Sequence, residues 1–177
     1  MAYTTPTTRA TNDNIGAAAW NADIVENIKF LANPPKCQVY KAANQSINNT
    51  TETPITFGNE NWDTDTCHDN ATNTSRLTCN TAGTYLVIAR LTWANNATGY
   101  RLLRLFKNGV LGTLLDGDYL PSVSANTEST NLCVVETSLV VGDYVEMWGT
   151  QSSGGALNAK GSTDGFSTVF GWRMISQ

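Results

Sequence analysis

The run GTYLVIARLTWA, Gly83 to Ala94, does most to narrow what this chain can fold into. In an extended strand, Tyr85, Val87, Ala89, Leu91 and Trp93 fall on one face, with Leu86 and Ile88 on the other. A sandwich strand that faces water on one side alternates apolar with polar residues, so a strand apolar on both faces needs a second cover. Left bare, that second face would form a sticky patch. Association between subunits is therefore the economical reading.

Similar runs recur downstream of Pro35: QVYKA, PITF, RLTC, GYRLLRLFKNG, VLGTLLDGDYL, NLCVVETSLVV, DYVEMWGTQ and FSTVFGWRMI. Turn signals such as Asn108-Gly109 separate them, which predicts antiparallel strands in a sandwich rather than strand–helix–strand units. Asp116-Gly117-Asp118 falls where a turn is expected, and Ser152 to Gly165 reads as a long flexible loop. Ahead of Pro35 the pattern is different. Met1 to Asn14 is rich in Thr and Asn and reads as an extended arm. Trp20, Ile24, Ile28 and Leu31 then recur at helical spacing, which predicts an amphipathic helix of about 15 residues closed by Pro34-Pro35. Asp23, Glu26 and Lys29 point away from that stripe. The expected division is an arm and helix over 1–35 and a sandwich over 36–177.

With 177 residues the chain suits one buried domain, and with 15% charged residues its polar surface must come from Thr, Asn and Ser. The net charge of -4, without a basic run, argues against nucleic acid as a partner. No apolar run approaches the roughly 20 residues that span a bilayer, and Lys29 alone is too little positive charge for a lipid-surface helix. The N-terminus lacks the basic and apolar regions of a secretory signal, so assembly in a cytoplasm is expected. Cys37, Cys67, Cys79 and Cys133 form no CxxC pair and read as buried thiols, with a Cys67–Cys79 disulfide as the alternative.

NWDTDTCHDN, Asn61 to Asn70, carries the only histidine and looks like chemistry. Cys67 and His68 are adjacent and point to opposite faces of an extended chain, which works against a shared zinc. Asp63, Asp65 and Asp69 could offer oxygens to calcium or another hard cation, although the glycine-bearing EF-hand pattern is missing. The favoured reading is a loop whose Asp and Thr side chains bond neighbouring amides while Trp62 plugs the core. No metal or cofactor is assigned. A catalytic triad would have to use His68, no G-x-S-x-G elbow exists, and no phosphate loop opens a helix. The expectation is a protein that is not an enzyme.

The segment HDNATNTSRLTCNTAGTYLVIARLTW resembles the central motif of complement globular heads and tumour-necrosis-factor-like jelly rolls. The matching pieces are His68-Asp69, Thr72 to Ser75, Leu77 to Cys79, Ala82-Gly83 and Tyr85, with His68 standing where that family usually has tyrosine. RLFKNG and FSTVFGWRMI resemble two further strands of the family. Ala18, Ala19, Trp20, Asn21, Ile24, Asn27, Ile28 and Leu31, followed by Pro34-Pro35, resemble the N-terminal helix of phage structural proteins. Together these resemblances imply an all-β, antiparallel, TNF-like jelly-roll sandwich preceded by an arm and one short α-helix. They also imply a homotrimeric virion component that docks on phage capsid or tail proteins.

On that reading Trp20, Ile24, Ile28 and Leu31 dock the particle, and Tyr85, Tyr100, Phe170 and Trp172 lie between subunits. A capsid decoration or head-fibre role comes first. A tail-associated receptor-binding protein is the alternative, contacting host surface glycan through the loops around Pro121 to Thr130 or Ser152 to Gly165. Sugar stacking by Tyr100, Trp148, Phe170 and Trp172 is the weaker use of those aromatics, and a cellular lectin is a third reading that lacks a signal peptide.

Overall fold

Residues 4–162 and 167–177 are described by the computed structural model of this chain. The helical segment comprises α1 (Ala17–Trp20), a π-helical turn (Asn21–Val25) and α2 (Glu26–Ala32). It ends at Asn33, since Pro34 and Pro35 cannot donate the amides that another turn needs. Of its apolar side chains only Phe30 joins the protein core.

Among the described residues twelve strands follow: β1 (Lys36–Tyr40), β2 (Gln45–Ile47), β3 (Thr53–Pro54), β4 (Asn59–Asp63), β5 (Arg76–Thr78), β6 (Gly83–Trp93), β7 (Tyr100–Lys107), β8 (Thr113–Pro121), β9 (Ser129–Leu139), β10 (Tyr144–Gln151), β11 (Leu157–Ala159) and β12 (Val169–Ser176). One sheet runs β4–β1–β12–β6–β9, and β11 carries β2 onto the end of β6. The other runs β10–β7–β8, with β3 and β5 both on β10. All pairings are antiparallel, and the first long strand closes on the last through Cys37 opposite Trp172 and Val39 opposite Phe170. This is the expected all-β jelly roll.

Alternation decides what is inside. Tyr85, Val87, Ala89, Leu91 and Trp93 of β6 are fully buried against Leu103 and Leu105 of β7 and Val145 and Met147 of β10. Gly149 lets the sheets approach beside the largest of these: a Cβ there would lie 3.1 Å from both Leu91 and Trp93. The registers place the start of β1, the start of β6 and the end of β12 at one pole, together with the β7–β8 and β9–β10 turns. The loops 94–99, 122–128 and 152–156 lie at the opposite pole.

Several expectations change. Asp116-Gly117-Asp118 is mid-strand in β8 rather than a turn, and Asp118 accepts from the Leu132 amide of β9 at 3.0 Å. The stretch read as a flexible loop contains β11, paired with β2 and β6, and a turn whose Gly154 and Gly155 are held by Asn49 and Gln151; its positions 163–166 lie outside the described residues. Tyr85, Phe170 and Trp172 are core residues of a single copy, not subunit contacts, because each points between the sheets. Tyr85 meets Trp172 at 5.0 Å between ring centroids, and Phe170 meets Phe57 at 5.9 Å. Phe170→Ala should therefore cost about 3–5 kcal/mol in denaturant unfolding, independently of protein concentration.

Candidate functional site and assembly surfaces

The acidic loop is built from its own bonds. Asp63, at the end of β4, accepts from the Asp65 and His68 amides at 3.0 Å each. Asp65 accepts from the Thr81 hydroxyl at 3.1 Å. Asp69 caps the Ala71 and Thr72 amides, which hold its carboxyl below the usual range. The His68 ring nitrogen Nδ1 lies 3.0 Å from the Arg76 carbonyl, an acceptor only, so Nδ1 carries the proton. Among the described residues no three His, Cys, Asp or Glu side chains gather as a metal set would require. Asp63 and Asp69 instead cap amides, as carboxylates of a structural turn do, and Asp65 takes a hydroxyl.

Trp62 departs from expectation: it does not plug the core but stands half exposed on the outer face of β4. The core position in this region belongs to Cys67, whose sulfur accepts from the Trp172 indole at 3.3 Å. All four cysteines are free, buried thiols, and no Cys67–Cys79 disulfide forms. Burial, with Asp116 alongside, pushes Cys133 up to about 12.

Across the outer face of the larger sheet, register aligns Trp62, Gln38, Gly171, Ile88 and Val134 in one row over five strands. Leu132 flanks the row on β9 and Leu86 on β6. Trp62, Ile88, Leu132 and Val134 are each between 44% and 55% exposed, far above the norm for apolar strand residues. Gly171 leaves a shallow notch of about 380 Å³ between Trp62 and Ile88. Lys36 and Arg173 occupy a neighbouring row on β1 and β12, and Glu136 ends that row at the β9 edge. This is the second face that β6 demanded. Leu86 and Ile88 were legible in the sequence; Leu132, Val134 and Trp62 required the register.

The helix presents a second apolar surface. Trp20, Ile24, Ile28 and Leu31 are 51%, 40%, 60% and 72% exposed. The side adjoining this stripe is occupied by the chain's own arm: Thr4 and Asn27 exchange two hydrogen bonds, and Arg9 pairs with Asp23 at 2.8 Å. The arm is thus pinned antiparallel to the helix, and the Arg9 guanidinium holds the Asp23 carboxyl below its ordinary value. No helix among the described residues is long and apolar enough to cross a membrane.

Tyr100 is the member of the aromatic set that stays near the surface. It stacks on Tyr119 at 5.3 Å on the other sheet, at the pole away from the helix, so the structure does not join it to Tyr85, Phe170 and Trp172.

No protein-family profile and no curated relative matches this chain. Solved structures do. The globular domain of zebrafish complement 1qA aligns at TM-score 0.57 and 17% identity, over 81% of this chain and 98% of that one. Eiger TNF from S. frugiperda aligns at 0.62 and 13%, over 81% and 94%. Murine APRIL aligns at 0.60 and 11%, over 80% and 98%. The likeness is one of fold: the jelly roll of complement heads and TNF-type proteins.

Asp63→Ala removes the acceptor of two loop amides and should cost about 1–3 kcal/mol. Calcium or a chelator should leave the melting temperature of the unaltered protein unchanged; a clear drop on chelation would restore the cation reading.

Proposed function

We propose that this chain is a non-enzymatic bacteriophage structural protein, a homotrimer that decorates a capsid or forms a head fibre, attached through its N-terminal segment. The observation that carries this reading is the bare apolar row on the larger sheet, Trp62–Gln38–Gly171–Ile88–Val134. A second copy is the cover that such a face calls for. Lys36 and Arg173 on one side and Glu136 on the other suit a head-to-tail ring, in which unlike edges meet. The resemblance to complement heads and TNF-like jelly rolls favours three copies. The jelly roll forms one unit over 36–177 and the arm with its helix another over 1–35.

Attachment falls to the second unit. The arm braces the helix on its polar side and leaves Trp20, Ile24, Ile28 and Leu31 facing outward. Three such segments on one trimer raise avidity without strong single contacts. Assembly takes place in the host cytoplasm, and the mature protein resides in the virion. Neither nucleic acid, membrane nor cofactor enters this mechanism.

One observation favours the alternative, a tail-associated receptor-binding protein. Tyr119 is 61% exposed, stacks on Tyr100, and lies beside the loops of the pole away from the helix. Such a platform could stack on host surface glycan.

Light scattering should return a trimer mass, and Ile88→Asp with Val134→Asp should return a monomer with the fold intact by circular dichroism. Deletion of residues 1–35 should abolish binding to particles while the trimer remains; retained binding would exclude the docking role. Density on an intact virion locates the protein, and labelled protein that binds host cells but not bare capsids would select the adhesin.

A further inference from the structure

Two apolar features at the helix pole remain uncovered after the sheet faces are paired. One is the C-terminal half of the helix stripe, Ile28 and Leu31. The other is a pair of turns, where Val110, Leu111, Val140 and Val141 are between 41% and 99% exposed. We infer that Ile28 and Leu31 of one copy pack on these turns of the next copy around the ring.

The turns are preformed. Asn108 takes the left-handed conformation, donates its backbone amide to the Tyr144 carbonyl at 2.8 Å, and accepts from the Tyr144 amide at 3.0 Å. Its side-chain amide donates to Asp143 at 2.9 Å. Asp143 also accepts from the Val140 amide and pairs with Lys107 at 2.7 Å. Burial opposes ionisation of Asp143, yet the bonds from Asn108, Lys107 and Val140 outweigh it and hold the carboxyl at about 2. The β7–β8 and β9–β10 turns are thereby latched to each other, with their aliphatic side chains outward.

Placement supplies the partner. The helix leaves the body over β1 and β12, where Phe30 and Leu31 border Arg173, Met174 and Ile175, and where Lys29 and Ala32 lie beside Thr64. The turns sit on the other side, where β9 and β7 end and β8 begins. A cyclic ring keeps equivalent poles level and brings one flank of each copy against the opposite flank of the next. The helix of one copy therefore meets the turns of its neighbour. Two flanking lysines are already paired within each copy, Lys29 with Glu26 and Lys107 with Asp143, which lowers the cost of covering them. Trp20 lies about 12 Å farther along the helix than Ile28, which leaves Trp20 and Ile24 for the particle.

This inference rests on the ring-shaped trimer proposed above, and the test separates the two. Ile28→Cys and Leu111→Cys are introduced into one full-length chain and exposed to oxidised glutathione; Leu31→Cys with Val141→Cys is the second pair. The native thiols are at most 3% exposed and should stay out of the exchange. A covalently closed trimer on a non-reducing gel, with single variants running as monomers because they lack the facing thiol, is the expected result. A trimer mass by light scattering without cross-linking in either pair would overturn the inference and leave the trimer standing. A monomer mass would overturn both. An Ile28→Asp trimer that melts like the unaltered protein but no longer binds particles would assign this half of the stripe to the particle instead.

Discussion

The sandwich depends on the closure of its first strand on its last. Lys36–Tyr40 pairs with Val169–Ser176, and Cys37 and Val39 enter the core beside Trp172 and Phe170. This contact spans almost the whole sequence, so its loop-closure entropy is the largest in the fold. The β6–β9 and β7–β10 pairs are less remote and can form the two sheets first. Closure then completes the larger sheet and its outer row together, because Gln38 and Gly171 lie on the two closing strands.

The same closure fixes the N-terminal helical segment. α2 runs into β1 through Asn33, Pro34 and Pro35, and Phe30 fills the gap where the helix leaves the body. Polar contacts then brace it from one side, with Asp23 and Asn27 holding the arm. The segment is neither a free tail nor part of the core. A helix this short would be marginal alone in water, and the arm supplies part of the missing packing.

Much of the architecture was legible in the chain. The helix was readable because Trp20, Ile24, Ile28 and Leu31 repeat at its period and proline stops it. β6 was readable because it is long and apolar on both faces. Short strands were readable where they are apolar, as in QVYKA and RLTC, but two were not: Asn59–Asp63 is polar with no clean alternation, and Leu157–Ala159 sits among serines and glycines. Aromatic residues misled for a related reason. Composition says that Tyr85, Phe170, Trp172 and Trp62 must be covered, but only the register says which sheet face each occupies. Three turned inward, and Trp62 turned out. The acid-rich loop looked like a ligand set because capping amides and holding cations use the same side chains.

Closure of the first strand on the last also sets where added sequence can go. Lys36 and Ser176 lie at the pole that carries the helix. A peptide fused after Gln177 would emerge beside the helical segment and compete with it for space. A peptide placed in the 122–128 loop would emerge at the far pole, directed away from the helix. One pole thus carries the helix and the chain's last strand, and the other is formed by loops alone.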